Sequence, residues 1–201
     1  MDISTQKSTS TALADTARVR RPLVFLDIDD VLRLHPTLNA RQALAAILGD
    51  QSTDPQYVWQ NIFHAAASEN LRLLDLEFSP LYVISSSWTG RLNRDQICET
   101  FTRTGLQFVA NNLHERWCTL RWAESSRFAE IHAWLDANWL HSHKLALLPP
   151  FVILDDVRSG ASLIGSHLHH MTVLCNEAGG FMFPQLRTAQ HILRAPASEM
   201  P

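Results

Sequence analysis

Four short runs of mostly apolar residues recur along the chain, separated by longer segments of mixed character. Apolar residues within a run are consecutive, and they lack the spacing of three or four residues that marks one face of a helix. Such runs are typical of strands buried on both faces of a parallel sheet. The first predicted strand begins at Leu23 and continues past Asp27, and the others cover residues 81–84, 151–154 and 171–174.

The segments between these strands have apolar residues at helical spacing, which predicts helices that pack on the sheet. Ser126 is a predicted N-cap and Gly105 a predicted helix stop. Residues 106–110 form a further short predicted strand, and residues 49–56 a predicted loop. The predicted helices run up to Leu48 after a loop over 33–41, and cover residues 57–74, 91–104 and 127–140. This alternation predicts an α/β domain with a central, mainly parallel sheet.

Composition and charge narrow the class of protein. With 201 residues, 46% hydrophobic and 18% charged, the chain suits one globular domain with a solid core. A net charge of −3 is not that of a general polyanion-binding protein, and no apolar stretch is long enough to predict a membrane span. Residues 1–20 are rich in Ser, Thr and Ala without a signal-peptide core, so we predict a disordered tail followed by one domain over residues 21–195.

The three cysteines are Cys98, Cys118 and Cys175, which are odd in number, widely spaced and without a CxxC pattern. This arrangement favours free thiols in a reducing compartment over a disulfide framework. We therefore predict a cytoplasmic location.

Two acidic residues follow the first predicted strand, Asp27 and Asp29. In a strand that continues past Asp27, residues two apart face the same side, so the two carboxylates are predicted to converge. Ligands of parallel α/β sheets bind just beyond the carboxyl ends of the strands. Two neighbouring carboxylates need a cation or a proton to coexist, and Mg²⁺ is the simplest such cation.

Polar groups also follow the other predicted strands. Ser85 and Ser86 follow the second strand, and Asp155 and Asp156 follow the third. Arg127 begins a predicted helix, whose N-terminus itself favours anions. If the strand ends share one edge, the site combines carboxylates, a hydroxyl donor and a cation, which is the set that phosphoryl transfer through an aspartyl phosphate requires.

In their order and context these motifs resemble those of the haloacid dehalogenase (HAD) superfamily of phosphohydrolases, a Rossmann-like three-layer fold. Asp27-Ile28-Asp29 stands for its DxD motif, Ser85-Ser86 for its second, Arg127 for its third and Asp155-Asp156 for its fourth. The segments Ser86-Ser87-Trp88 and Arg127 to Leu135 are most similar to the subgroup described as the HAD domain of Swiss Army Knife RNA repair-like proteins. The resemblance covers about residues 22–183 and includes no large cap domain.

The resemblance implies a role for each residue. Asp27 is the expected nucleophile and Asp29 the general acid and base. Mg²⁺ is expected on the Asp27 side chain, the Asp29 backbone carbonyl and the pair Asp155 and Asp156, with Asp156 preferred for direct contact. Phosphate is expected to bind Arg127 and one serine hydroxyl. The alignment through Trp88 favours Ser86 and counting along the strand favours Ser85, so both stay open. Asp29 is expected to have a raised pKa.

Two positions depart from the subgroup. Asp30 stands where Gly is usual, at a turn that asks for backbone freedom, and Asp tolerates such turns better than most residues. Thr89 stands where Arg is frequent, and Arg91 follows two residues later, which indicates a missing or displaced cation on the phosphate or substrate side. Lys144 and Arg121 are the alternatives to Arg127 as the third-motif cation.

Other patterns favour packing over chemistry. The tryptophans are mainly predicted as core and rim residues, although Trp117 and Trp122, next to arginines, are candidates for base stacking. Glu130 is predicted as a helix-surface residue. The histidine groups lack the spacing of a zinc site, and they are His141 with His143, and His167 with His169 and His170.

The predicted function is a Mg²⁺-dependent phosphatase that acts on a phosphorylated small molecule or nucleic-acid end. Three alternatives remain: a nucleic-acid end-processing phosphatase, a non-catalytic module of the same fold that binds a phosphorylated ligand, and a structural partner in a larger assembly. No membrane partner is predicted. The physiological substrate, the oligomeric state and the pathway are not predictable from the sequence.

Overall fold

A parallel five-stranded sheet forms the centre of the protein. The structure, a computed structural model, describes residues 21–32, 38–50, 54–139 and 148–195. Every strand pairs in parallel, in the order β3-β2-β1-β4-β5. The strands are β1 (Leu23–Leu26), β2 (Leu81–Ile84), β3 (Leu113–Cys118), β4 (Phe151–Asp156) and β5 (Thr172–Cys175). The predicted α/β class with a parallel sheet is confirmed.

Helices connect the strands and cover the sheet. In the described ranges the α-helices are α1 (Ala40–Ile47), α2 (Pro55–Asn61), α3 (Ala65–Phe78), α4 (Arg94–Arg103), α5 (Gln107–Asn111), α6 (Arg127–Asn138) and α7 (Phe183–Arg194). Short 3₁₀ turns cover Ser87–Gly90, Ser159–Leu163 and His169–Met171. None of the described helices is long and apolar enough to cross a membrane.

The alternation of side chains along β1 divides the core into two layers. Val24 and Leu26 belong to the larger hydrophobic cluster, with side chains from α1 to α5 and α7. Leu23 and Phe25 belong to a second cluster, in which the Phe25 ring lies 5.1 Å from the Trp134 ring of α6. Helices therefore cover both faces, which makes three layers. The connection between β1 and β2 contributes to the core, and no separate cap domain occurs in the described ranges.

The register of the central strands brings the predicted site residues to one edge. Leu26, the last residue of β1, pairs with Ile84 on one side and with Leu154 on the other. The residues that follow these three are Asp27, Ser85 and Asp155, so they lie side by side. Hydrogen bonds continue beyond the assigned strand, because Asp27 N–H donates to the Leu154 carbonyl at 2.9 Å.

The predicted strand over residues 106–110 is wrong, because this segment is helix α5 and the strand is β3, which follows it. Leu106 and Val109 are both buried three residues apart, which suits a helical turn better than a strand. β3 lies at the edge of the sheet and pairs with β2 alone. An edge strand tolerates polar residues such as His114, Glu115 and Arg116. Because of these residues, β3 lacks the run of consecutive apolar residues by which the other strands were predicted.

The predicted helix over residues 57–74 is two helices, α2 and α3. The chain leaves the helix at Ile62, and the backbone N–H of His64 donates to the Leu32 carbonyl at 2.8 Å. The predicted loop 49–56 ends too late, because Asp54 caps α2 and Pro55 is its first residue.

The remaining helix predictions agree more closely with the structure. Ser126 caps α6 as predicted, while position 140 lies outside the described residues. The predicted helix 91–104 corresponds to α4, which begins later because Asn93 and Gln96 form a capping box there. The predicted tail at 1–20 lies outside the described residues, and the single catalytic domain over 21–195 stays a prediction.

Candidate active site

Asp27 lies at the end of the central strand and is almost completely buried, with 3% of its surface exposed. Its Oδ1 is 3.3 Å from Nη2 of Arg127, and the Ser86 side chain also hydrogen-bonds its carboxylate. The strand β1 ends at Leu26, one residue before Asp27. Asp27 is thus held on the strand by its backbone and on α6 by its side chain.

Asp155 and Asp156 end strand β4, and the turn that follows holds both carboxylates. The Asp155 Oδ1 accepts hydrogen bonds from the Asp156 backbone N–H at 2.9 Å and from the Ser159 hydroxyl at 2.7 Å. The Asp156 Oδ1 accepts from the backbone N–H groups of Arg158 and Ser159 at 2.6 and 3.0 Å. Ser159 also contacts Asp156 Oδ2 through its hydroxyl. No motif in the sequence marks Ser159 as a site residue.

Arg127, the first residue of α6, is buried among three carboxylates. Its Nη2 lies 3.3 Å from Asp27, its Nε 2.6 Å from Asp155 and its Nη1 3.1 Å from Glu130. A buried guanidinium with several acidic partners is a counter-ion that keeps those acids close together. The cation predicted from the start of this helix therefore lies inside the acidic cluster.

The prediction that Glu130 lies on the helix surface is wrong. Only 2% of its surface is exposed, and it pairs with Arg127 three residues earlier on the same helix. Its Oε1 accepts a hydrogen bond from the Ser125 hydroxyl at 2.6 Å and lies 3.3 Å from Nε of Arg121. The spacing of three residues between an arginine and a glutamate was the signal in the sequence for this pair. Glu130 contacts Nη1 of the guanidinium, while Asp27 and Asp155 contact Nη2 and Nε.

The prediction that Asp27 and Asp29 face the same side of a continuing strand is wrong, because β1 ends at Leu26. The strand has already ended, and the chain turns at Asp29 and Asp30. The Asp29 Oδ2 accepts a hydrogen bond from Nε1–H of Trp88 at 3.1 Å, and the Ser87 hydroxyl lies 3.5 Å away. Its buried Oδ1 has no hydrogen-bond partner among the described residues. The Trp88 indole therefore fixes the Asp29 side chain, a role that the sequence analysis did not assign to it.

The two candidate serines have different surroundings. Ser86 hydrogen-bonds Asp27 through its side chain, and its Oγ caps the turn at Trp88. Ser85 is also buried, but its hydroxyl has no hydrogen-bond partner in the described part of the chain. Both side chains thus lie at the acidic edge, and Ser86 is the one that contacts the proposed nucleophile.

Burial sets the protonation of the site. Burial, together with the neighbouring Asp155, raises the pKa of Asp27 well above the usual carboxyl value. Burial raises the pKa of Asp155 to about 6, although Arg127 acts in the opposite direction. Burial also raises the pKa of Asp29. The nearby thiol of Cys175 has its pKa raised to about 12, mainly by burial, so it is not a competing nucleophile.

Asp27, Asp155 and Asp156 each offer a carboxylate oxygen, and these oxygens lie within 4.8 Å of one another. In the described ranges this is the one group of three or more acidic, histidine or cysteine side chains with such spacing. Mg²⁺ prefers oxygen ligands and is commonly held by one or two carboxylates. The raised carboxyl pKa values of Asp27 and Asp155 also fit a cluster that needs more positive charge than one arginine supplies. The residues present therefore fit a magnesium site.

A family model described as the HAD domain in Swiss Army Knife RNA repair proteins matches residues 23–186. The chain belongs to this HAD family. The match extends from β1 into α7, and it includes all five strands and every acidic residue of the site. No curated protein and no solved structure matches the chain significantly. The resemblance inferred from the motifs is confirmed, and so is the Rossmann-like α/β fold without a large cap.

Both departures from the family motifs have a structural counterpart in this HAD domain. Asp30 adopts a left-handed conformation with φ of 56°, which explains why the subgroup favours Gly there. Thr89 has no charge and therefore cannot replace the cation. Its hydroxyl donates to the Ser86 carbonyl at 2.9 Å. Arg91 lies beyond the 3₁₀ turn and lines a surface cavity.

The remaining candidates lie elsewhere in the HAD domain or outside the described residues. Arg121 contacts Glu130 from outside and is 44% exposed, so it is not the cation inside the cluster. Lys144, His141 and His143 lie outside the described residues. Side chains that include Trp117, Trp122 and Arg116 line an apolar cavity of about 560 Å³ between β3 and α6.

The histidine groups within the described ranges form ring contacts and no metal cluster. His167 packs edge-on against Phe128 and His132, and His169 packs against His170. The group of side chains with the spacing of a metal site consists of Asp27, Asp155 and Asp156 and includes none of these histidines. The three cysteines are free thiols in the structure. The cytoplasmic location inferred from them stays a prediction.

Proposed function

We propose that this HAD domain is a Mg²⁺-dependent phosphatase that hydrolyses a phosphomonoester through an aspartyl phosphate on Asp27. The observation that carries the proposal is the convergence of Asp27, Asp155 and Asp156 around the Arg127 guanidinium at the carboxyl edge of the sheet. A buried acidic cluster with one arginine is poorly suited to stabilise the fold. It is well suited to assemble a cation, a phosphate and a carboxylate nucleophile.

In the first step, an Asp27 carboxylate oxygen attacks phosphorus and forms an acyl phosphate. The bond between phosphorus and the ester oxygen breaks, and Asp29 gives its proton to the leaving oxygen. The raised pKa of Asp29 favours the protonated acid that this step needs. The Asp29 Oδ2 accepts a hydrogen bond from Trp88. The Asp29 Oδ1 has no hydrogen-bond partner among the described residues, so a proton on this oxygen is available for transfer.

In the second step, water attacks phosphorus and gives its proton to Asp29. The bond between phosphorus and the Asp27 oxygen breaks, which releases phosphate and restores the Asp27 carboxylate. Arg127 and the Ser86 hydroxyl are proposed to bind phosphoryl oxygens, and Ser85 stays the alternative hydroxyl. Glu130 keeps the guanidinium oriented between the steps.

The proposed metal ligands are the side chains of Asp27, Asp155 and Asp156 and the backbone carbonyl of Asp29. When bound, Mg²⁺ would neutralise the charge that opposes the approach of a carboxylate to a phosphate. Ser159 and the backbone N–H groups of its turn hold the two acids of β4 in place.

A direct test is hydrolysis of a generic aryl phosphate, with a panel of mononucleotides and 5′-phosphorylated oligonucleotides. Each is measured with Mg²⁺, with a chelator, and with Asp27→Asn protein. The proposal predicts turnover that both the chelator and the substitution abolish. Binding of phosphorylated compounds without turnover by any of them would instead support a non-catalytic phosphate-binding module.

A nucleic-acid end is the second candidate substrate, and we propose it as the alternative to a small molecule. The family description names RNA repair proteins, and Trp117 and Trp122 line a cavity together with Arg116. Trp122 is 50% exposed, and an exposed aromatic side chain beside cations is suited to stacking with bases. Within the same panel, this alternative predicts that phosphorylated oligonucleotides have a higher kcat/KM than mononucleotides, and that Trp122→Ala removes the difference.

A further inference from the structure

A second cavity lies beside the candidate active site, between helix α1 and the 3₁₀ turn after β2. Its volume is about 510 Å³, and it is lined by Arg41, Leu44, Ala45, Leu48, Ser87 and Arg91. Ser87 connects it to the site, because the Ser87 hydroxyl is 3.5 Å from Oδ2 of Asp29. A group in this cavity would therefore lie next to the proposed general acid.

Among the described residues, the cavity lining carries two positive charges and no acidic side chain. Arg41 and Arg91 are both exposed, and among the described residues neither side chain has an ion-pair or hydrogen-bond partner. Some exposed arginines elsewhere are paired, for example Arg72 with Glu69 and Arg103 with Glu99. Two guanidinium groups on one cavity, neither of them paired with a described residue, attract anions.

Arg91 also lies close in sequence to an altered position of the family motif. Thr89, which stands where the subgroup often has Arg, uses its hydroxyl to bond the Ser86 carbonyl. The cation that is absent at position 89 is present two residues later, on the wall of the cavity. Arg91 is exposed, whereas Trp88, three residues earlier, is buried in the core.

We propose that Arg41 and Arg91 bind a second phosphate group of the same substrate molecule whose phosphomonoester reaches Asp27. This inference rests on the proposed function and narrows its substrate class to compounds with at least two phosphate groups. Guanidinium groups suit this ligand because they form paired, charge-assisted hydrogen bonds with phosphate oxygens. Leu44 and Leu48, which also line the cavity, would contact the chain that joins the two phosphates.

The test compares alkanediol bisphosphates of increasing chain length with the alkyl monophosphate of each length, so no base or sugar contributes to binding. Affinity is measured by calorimetry on full-length Asp27→Asn protein with Mg²⁺, because this variant does not consume the probe. At one or more lengths, the bisphosphate should bind about tenfold more tightly than its monophosphate partner. Added salt should reduce this gain, since the arginines are exposed.

The Arg41→Gln/Arg91→Gln double substitution should remove the gain while the affinity for the monophosphates is retained. Arg187→Gln, a change at an exposed arginine of α7 outside the cavity lining, should leave the gain intact. Equal affinity within every pair, or a gain that survives the double substitution, would overturn the second phosphate site alone. No binding of any monophosphate or bisphosphate to folded protein would overturn the proposed function as well.

Discussion

The two edges of the sheet differ in how their polar groups are satisfied. At the amino edge, the Arg21 guanidinium donates to the carbonyls of Ser79 and Pro80 at 2.6 and 2.8 Å and to Asn112 at 2.8 Å. Close to this edge, the Tyr82 hydroxyl donates to a carboxylate of α3 at 3.1 Å. These two side chains therefore have acceptors for their donors, and the Arg21 contacts link the start of β1 to the start of β2.

The carboxyl edge has the opposite character. Asp27, Asp155 and Glu130 share one buried guanidinium, and burial raises the pKa of the first two. Buried polar atoms of Asp29 and Ser85 have no hydrogen-bond partner among the described residues. Local arrangements that weaken a fold are concentrated where binding or catalysis requires them. The amino edge therefore serves stability, and the carboxyl edge is where we place the chemistry.

The largest expected effect is that of Asp27→Asn on turnover. Without the nucleophile, kcat should fall at least about 10³-fold, while the free energy of unfolding should stay equal or rise because a buried charge is removed. Steady-state hydrolysis and urea unfolding of the same preparation measure both. A folded Asp27→Asn protein with substantial activity would contradict the role of Asp27.

Substitution of Arg127 by Met should lower the free energy of unfolding by about 3–5 kcal/mol near neutral pH without metal, because three buried carboxylates lose their counter-ion. The loss should shrink near pH 5, where Asp155 is more protonated. The matched control is Arg194→Met, which breaks an exposed pair with Glu77 and should cost less than about 1 kcal/mol. Equal losses in the two variants would show that Arg127 is not held as described.

Gly160 packs closely against Asp155 at the carboxyl edge and against Leu174 of β5. A Cβ at this position would lie 2.6 Å from Cδ2 of Leu174 and 3.2 Å from Cβ of Asp155. Gly160→Ala should therefore destabilise the fold by about 1–3 kcal/mol and lower activity by displacing Asp155. Gly90→Ala is the control, since nothing lies within 4 Å of a Cβ there. Its unfolding free energy should change by less than about 0.5 kcal/mol.

Magnesium should stabilise the protein more near pH 7.5 than near pH 5. Because the folded-state pKa of Asp155 is raised to about 6, protons stabilise the fold at low pH, and this contribution is lost as the pH rises through that value. Mg²⁺ bound at this cluster would replace these protons, and should add about 1.4 kcal/mol near pH 7.5 at tenfold its Kd. Thermal unfolding measures the shift, which Asp156→Asn should reduce. An equal shift at both pH values would argue against binding at this cluster.

The smallest effect is expected at the amino edge. Tyr82→Phe removes one hydrogen bond to Asp75 and should lower the free energy of unfolding by about 1 kcal/mol. Hydrolysis should not change, because this contact lies away from the carboxyl edge. A loss of activity as large as that of a carboxyl-edge substitution would remove the distinction between the two edges.

The parts of the fold predictable from the sequence are those whose pattern is local. β1, β2 and β4 have consecutive apolar residues, and α6 has a serine cap, so each was predicted close to its observed position. β3 was missed because an edge strand accepts charged residues. The break between α2 and α3 depends on a hydrogen bond from His64 to a distant carbonyl, which no local pattern records. Helix α7 was not predicted at all.

The candidate site divides in the same way. Asp27, Asp155 and Arg127 were predicted to meet because acids at strand ends and a cation at a helix start follow from topology. The partners that orient them depend on side-chain directions, which spacing alone does not fix. For this reason Glu130 was wrongly predicted as a surface residue, and the contact of Trp88 with Asp29 was not foreseen.

The central claim is that Asp27 forms a phosphorylated intermediate, and trapping that intermediate tests it most directly. Protein turning over an aryl phosphate with Mg²⁺ is quenched and treated with borohydride, which reduces an aspartyl phosphate to homoserine. Peptide mass spectrometry then locates the change. We predict homoserine at position 27, dependent on both substrate and Mg²⁺. Homoserine at another aspartate, or continued turnover with no trapped residue, would contradict the account.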